Sequence, residues 1–113
     1  MQMIRLSGQP AFATTKFALP VESSNDAIRN DKLQKVFQQL ADDLKPEAGY
    51  FFPSAGERGG FFVVDTRESS QVAEIAERFF FGLNAKIQMT PVMNADDLQK
   101  ALAIMPGTIK RYG

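Results

Sequence analysis

Two short runs, Tyr50-Phe51-Phe52 and Phe61-Phe62-Val63-Val64, put bulky apolar residues at neighbouring positions. Both have the composition of strands, and successive side chains of a strand point to opposite faces of its sheet. A sheet built from these runs is therefore apolar on both sides. Helices packed on one side leave the other as a patch of Phe and Val larger than soluble monomers usually expose. The economical cover is a second copy of the chain, sheet against sheet about a two-fold axis. The alternative is that the N-terminal arm or the last helix folds back over that face.

The rest of the chain supplies the helices. Ala11 to Val21 sets β-branched and aromatic residues near alternation and reads as a first strand, closed by Pro20. Asn25 to Leu44 changes to a helical period through Leu33, Val36, Phe37, Leu40 and Leu44, with Ser24 or Asn25 as cap and Pro46 as the stop. Ala48 to Phe52 and Gly60 to Asp65 form two strands joined by a glycine-containing hairpin loop from Pro53 to Gly59. Glu68 to Leu83 is helical again, with Val72, Ile75, Ala76, Phe79, Phe80 and Leu83 on one stripe. Lys86 to Met93 is a fourth strand, and Pro91 inside it requires an edge position because proline donates no ladder bond. Asn94 caps a last short helix, with Asp97 three residues on, and Pro106-Gly107 ends it before a basic tail.

The order β-α-β-β-α-β is the ferredoxin-like one. The expected fold class is α+β: a four-stranded antiparallel sheet with two helices on one face, plus a short C-terminal helix. The sheets of two copies are expected to pair into a dimeric α/β barrel. Residues 1–10 are read as an N-terminal arm, 11–105 as a single domain and 106–113 as a C-terminal tail. On the first strand Thr15, Phe17 and Leu19, and on the fourth Ile87, Met89 and Pro91, are the more apolar parities and should face the helices. The second face then has an apolar half from the middle strands and a polar half with Lys16, Gln88 and Thr90.

Composition narrows function by what is missing. The 113 residues contain no Cys, His or Trp and balance 13 Lys+Arg against 13 Asp+Glu. Thiolate chemistry, thiolate zinc, iron–sulfur clusters, serine–histidine pairs and a histidine-ligated haem are all excluded. A net charge of zero argues against a broad nucleic-acid surface. Tyr50, Phe51, Phe52, Phe61 and Phe62 resemble a base-stacking platform, but an RNA-recognition signature and a basic surround are absent. The sequence has neither a signal-like apolar run nor a membrane-spanning one, so no membrane partner and a cytoplasmic location are expected. Asp42-Asp43 and Asp96-Asp97 are adjacent helical pairs without the loop spacing of a calcium site, so no metal is expected.

The hairpin Tyr50-Phe51-Phe52 … Glu57-Arg58-Gly59-Gly60-Phe61-Phe62-Val63-Val64-Asp65 and the strand ending Ile87-Gln88-Met89-Thr90-Pro91-Val92 resemble small bacterial members of the dimeric α/β-barrel superfamily. The resemblance runs from about Phe12 to Leu102 and is closest to short uncharacterised domains related to muconolactone isomerase-like proteins. It implies a homodimer, often with a small pocket between sheet and helices, and activities such as cofactor-independent isomerisation or monooxygenation. Its haem-binding branches use a ligand histidine, which this chain lacks, so no cofactor is implied. Its motifs are patterns of glycine, apolar residues and proline and carry over no catalytic residue.

Candidate residues follow from chemistry alone. Arg58, between glycines in the hairpin, has the planar fork that binds a carboxylate, against the simpler reading of a solvated loop charge. Gly56-Glu57-Arg58-Gly59-Gly60 is no phosphate loop, since it lacks the Lys-Ser/Thr ending and precedes a strand. Asp65 at a strand end is a candidate general base or a polar stop, and Lys16 a candidate pocket amine or a snorkelling lysine. Tyr50 can hydrogen-bond a ligand carbonyl or pack in an interface. Gln88, Phe52 and Phe62 complete a candidate ligand wall, and Phe51, Phe61, Val63 and an outward Phe81 a candidate dimer interface. Two functions result: a homodimeric binder of a small apolar or aromatic compound, with or without catalysis, or a self-association module with no ligand. A pocket of at least about 300 Å³ reached by two polar side chains favours the first, and a solid core the second.

Overall fold

Period-two burial along β1 (Ala11–Leu19) orients the whole molecule. Ala13, Thr15, Phe17 and Leu19 are buried, while Lys16 is exposed. The computed structural model describes residues 11–113, so the expected N-terminal arm lies outside the described residues. After β1 come α1 (Val21–Arg29), α2 (Lys32–Leu44), β2 (Ala48–Ser54), β3 (Glu57–Thr66), α3 (Ser70–Leu83), β4 (Lys86–Val92), α4 (Ala95–Ala103) and α5 (Met105–Tyr112). The four strands form one antiparallel sheet in the order β2-β3-β1-β4. This is the ferredoxin-like arrangement, α+β, with β4 and its Pro91 on an edge as expected.

Register assigns the faces. Thr15 lies opposite Phe62 and Met89, and Phe17 opposite Gly60 and Ile87. The helix side therefore carries Phe17, Leu19, Phe62, Val64, Ile87 and Met89, packed with Leu40, Ile75, Phe79 and Leu83 from the helices. Leu33, Val36, Phe37 and Leu44 of α2 close over this cluster. The open side carries Tyr50, Phe52, Phe61 and Val63 on its β2–β3 half, and Lys16, Gln88 and Thr90 on its β1–β4 half. Both halves have the expected polarity.

Local structure departs from expectation at several points, each with a cause. The helix expected over 25–44 is two helices. Asp31 takes a left-handed conformation (φ 63°) that Asn and Asp tolerate better than most residues, and Asn30 accepts a bond from the Lys32 amide at 3.1 Å. The first of them begins straight after Pro20, so β1 stops at Leu19 and Ser24 lies inside a helix instead of capping it. The β2–β3 connection is tighter than Pro53 to Gly59. Ser54 pairs with Glu57, and Ala55 (φ 52°) and Gly56 (φ 80°) make a two-residue turn of the kind that matches strand twist.

At the C-terminus, Asn94 and Asp97 form the expected reciprocal capping box. Pro106-Gly107 does not end the structure. Pro106 sits in the first turn of α5, where its missing amide costs nothing, and residues 105–112 are helical instead of a tail. No residue of α4 or α5 is buried, and Leu98, Leu102, Met105, Ile109 and Tyr112 recur at helical spacing on them, all exposed. On α3, Phe79 enters the core, but Phe80 remains partly exposed with Val72, and Phe81 turns fully outward. Among the described residues no helix is long and apolar enough to cross a membrane.

Two substitutions test this packing. A Cβ on Gly60 would overlap the Tyr50 carbonyl oxygen and come within 3.0 Å of the Phe17 ring and of the Phe51 Cα. Gly60→Ala should therefore cost about 2 kcal/mol or more in urea denaturation; an unchanged midpoint would contradict the register. Thr15 is fully buried, and its hydroxyl has no hydrogen-bond partner among the described residues. Thr15→Val removes that unpaired group and should raise stability by about 1 kcal/mol in the same assay.

Candidate functional site

On the helix side, the aromatic core thins out toward the β2–β3 turn. At that end β3 turns Arg58 instead of an apolar residue to the helix side, and α2 begins above it. A cleft of about 360 Å³ results. Phe17 and Leu19 of β1, Leu33 and Phe37 of α2, and Phe51 and Pro53 of β2 line it, with Arg58 and Gly59 of β3. Phe52 reaches its lip, although its ring lies on the open side against Phe61 at 6.1 Å. Rings form the wall: Phe37 and Phe51 meet edge-to-face at 5.1 Å, and Phe17 lies 5.7 Å from Phe37.

Arg58 is the one charged side chain of the lining. Its place is fixed by the tight turn, which sets it opposite Pro53 on β2 and Leu19 on β1, on the helix side. One of its guanidinium nitrogens, Nη1, donates to Ser24 Oγ at 2.7 Å. Ser24 is only 3% exposed, and its hydroxyl in turn donates to the Val21 carbonyl at 3.1 Å. Helix α1 thus holds the arginine at the mouth of the cleft. Ser24 has this role only because Pro20 starts the helix where it does. Read as a possible cap, it carried no signal of a contact 34 positions away.

The residues singled out from sequence fall into two groups separated by the sheet. Arg58 and Phe62 are on the helix side, Phe62 beneath the cleft as part of the core. Lys16, Tyr50, Asp65 and Gln88 are on the open side, so a pocket combining Lys16, Tyr50 and Gln88 with the phenylalanine wall does not form. Strand parity is the reason: Lys16 and Phe17 are neighbours in sequence and point opposite ways. Lys16 and Gln88 do come together, in a shallower depression of about 290 Å³ with Lys86, Ser54 and Glu57. Tyr50 is 60% exposed and pairs with the Phe61 ring at 5.4 Å. Asp65 is half-buried at the far end of β3, 3.6 Å from Arg67, and on the order of 20 Å along the strand from Arg58.

Parity also divides the residues proposed for a dimer interface. Phe61 and Val63 lie half-buried on the open face. Phe51 does not join them. It lies opposite Gly60, and its ring turns to the helix side against Phe37, Phe17 and Phe62. Its neighbour Phe52 takes the open-face position instead. Phe81, 84% exposed, is on α3 and away from the sheet.

Residues 15–105 match a family described as a domain of unknown function, DUF3303. The chain belongs to this family. A solved structure of an uncharacterized protein from Thermotoga maritima is similar at 13% sequence identity, with a TM-score of 0.52 over 75% of this chain and 100% of that one. At that identity the likeness concerns the fold. No curated protein matches the sequence.

Proposed function

We propose that this DUF3303 domain is a homodimeric module that binds a small apolar or aromatic compound in the cleft between α2 and the sheet. The observation that carries the reading is the cleft. Its volume of about 360 Å³ falls within the roughly 300–1,000 Å³ typical of ligand sites, and its apolar wall has a single positioned polar group. The resemblance to the dimeric α/β-barrel superfamily, in which such pockets recur, supports it. The lining side chains supply one cation and no carboxylate, hydroxyl or amine. The cleft is thus equipped to hold a compound more than to move its protons, and isomerase or oxygenase chemistry would draw on the compound's own reactivity.

Self-association enters through the open face. Tyr50, Phe52, Phe61 and Val63 form a contiguous apolar half-sheet there, and stacking two such faces about a two-fold axis would cover it. The rival reading, a self-association module without ligand, draws on the same face, on the exposed stripe of α4 and α5, and on Phe81. It draws also on the cleft having one polar side chain, where a ligand site usually has a few.

A sizing measurement should find the wild type dimeric at micromolar concentration and Phe61→Asp monomeric or insoluble; a wild type monomeric at high micromolar concentration removes the dimer. Leu33→Trp should fill the cleft while the fold is retained. In a thermal-shift screen of aromatic acids and quinones, wild type should then show stabilised hits that Leu33→Trp loses. A flat profile for wild type favours the module without ligand.

A further inference from the structure

The reading of the cleft as a binding site can be taken one step further, to the chemical class of what it binds. We infer that the compound carries a carboxylate, received by Arg58 at the mouth, with Ser24 as the residue that positions the guanidinium. This inference rests on the cleft being a ligand site.

The charge of Arg58 is the first ground. Arg29, Arg67 and Arg78 each lie within 4 Å of an aspartate carboxylate, at 3.0, 3.6 and 3.5 Å. Arg58 forms no ion pair among the described residues. Its partner is the Ser24 hydroxyl, and a neutral acceptor orients a guanidinium without neutralising it. No acidic side chain lines the cleft, so nothing within it competes for the cation. Glu57, its sequence neighbour, is on the opposite face by parity.

The second ground is the way the arginine is held. A flexible surface arginine loses side-chain freedom when it captures an anion, and that loss weakens binding. Here part of the loss is already incurred on folding. Ser24 is buried, fixed through Val21 to the first turn of α1, and receives one N–H of the fork at 2.7 Å. The guanidinium has five N–H donors, so several remain for a second partner, and a paired set of parallel N–H groups matches the two oxygens of a carboxylate. The apolar walls of Leu33, Phe37, Phe51 and Pro53 then take the body of the ligand. A flat ring or a short alkyl chain ending in a carboxylate fits both halves of the site.

Calorimetry with matched acid and amide probes reads this directly: benzoate against benzamide, and hexanoate against hexanamide, at neutral pH. Wild type should bind each acid at least about tenfold more tightly than its amide, the difference expected of charge-assisted hydrogen bonds. Amide resonances of Leu33, Phe37 and Phe51 should shift on titration. Arg58→Gln should bring the acid-to-amide ratio near one. Ser24→Ala should lower the ratio through weaker acid binding, and Ser24→Thr should restore it. Equal affinity of wild type for acid and amide overturns the carboxylate inference and leaves the cleft reading standing. Failure of all four probes to bind at millimolar concentration overturns both, as does binding that shifts Lys16 and Gln88 in place of the cleft residues.

Discussion

The ring of Phe17 stands on the central part of β1, on the helix side, with the rings of Phe37, Phe62 and Phe79 at 5.7, 5.6 and 5.4 Å and that of Phe51 at 6.1 Å. These four come from α2, β3, α3 and β2, so one side chain ties β1 to four other elements of the domain. The arrangement depends on Gly60 directly opposite Phe17 in β3. Any side chain there would run into the Tyr50 carbonyl, the Phe51 backbone and the tip of the Phe17 ring, so the bare backbone of Gly60 is what leaves room for Phe17. Pairs of this kind contribute about 0.5–1.5 kcal/mol each beyond the area they bury. Their larger effect here is geometric. They fix which parity of every strand faces inward.

The cleft is a by-product of the same packing. From Gly60 toward the start of β3, the next residue that faces the helices is Arg58, which adds no apolar bulk. On β2 the partner of Arg58 is Pro53, short and rigid. The left-handed break at Asp31 ends α1 and starts α2 above this thin region, so that Leu33 and Phe37 become a roof and Ser24 of the preceding helix becomes a bracket for Arg58. Because the guanidinium sits at the mouth, it remains solvated and avoids the penalty of a buried charge. A cation can therefore be held beside an apolar cavity at little cost to the fold.

Much of this was legible in the sequence, and the limits have physical reasons. Element order, the edge position of β4 and the polarity of each half of the open face follow from periodicity and from Pro91, which are local signals. The doubled phenylalanines correctly imply a sheet apolar on both sides. They do not say which member of Phe51-Phe52 faces which way, because a two-residue turn and a longer loop between Phe52 and Gly60 give different registers. The sequence reads as the longer loop Pro53 to Gly59 and leaves the face of each phenylalanine open; the two-residue turn is what puts Phe51 on the helix side. The break at Asp31 is similarly hidden: Asn30-Asp31 is acceptable inside a helix and only somewhat better out of it. Arg58 was visible as a candidate from its chemistry. Ser24, which gives the arginine its position, depends on a contact between distant segments that no periodicity records.

The sheet separates two kinds of surface. Alternate residues of β1 serve each: Phe17 and Leu19 the cleft, Lys16 and Thr14 the open face. A side chain on one side has no direct route to the other except through the strand that bears it, and that strand is held on both flanks by continuous ladders. The proposed association through the open face and the proposed occupancy of the cleft would thus be separable by mutation. β2 is the exception. It is an edge strand bonded only to β3, and its adjacent residues Phe51 and Phe52 face the cleft and the open side respectively.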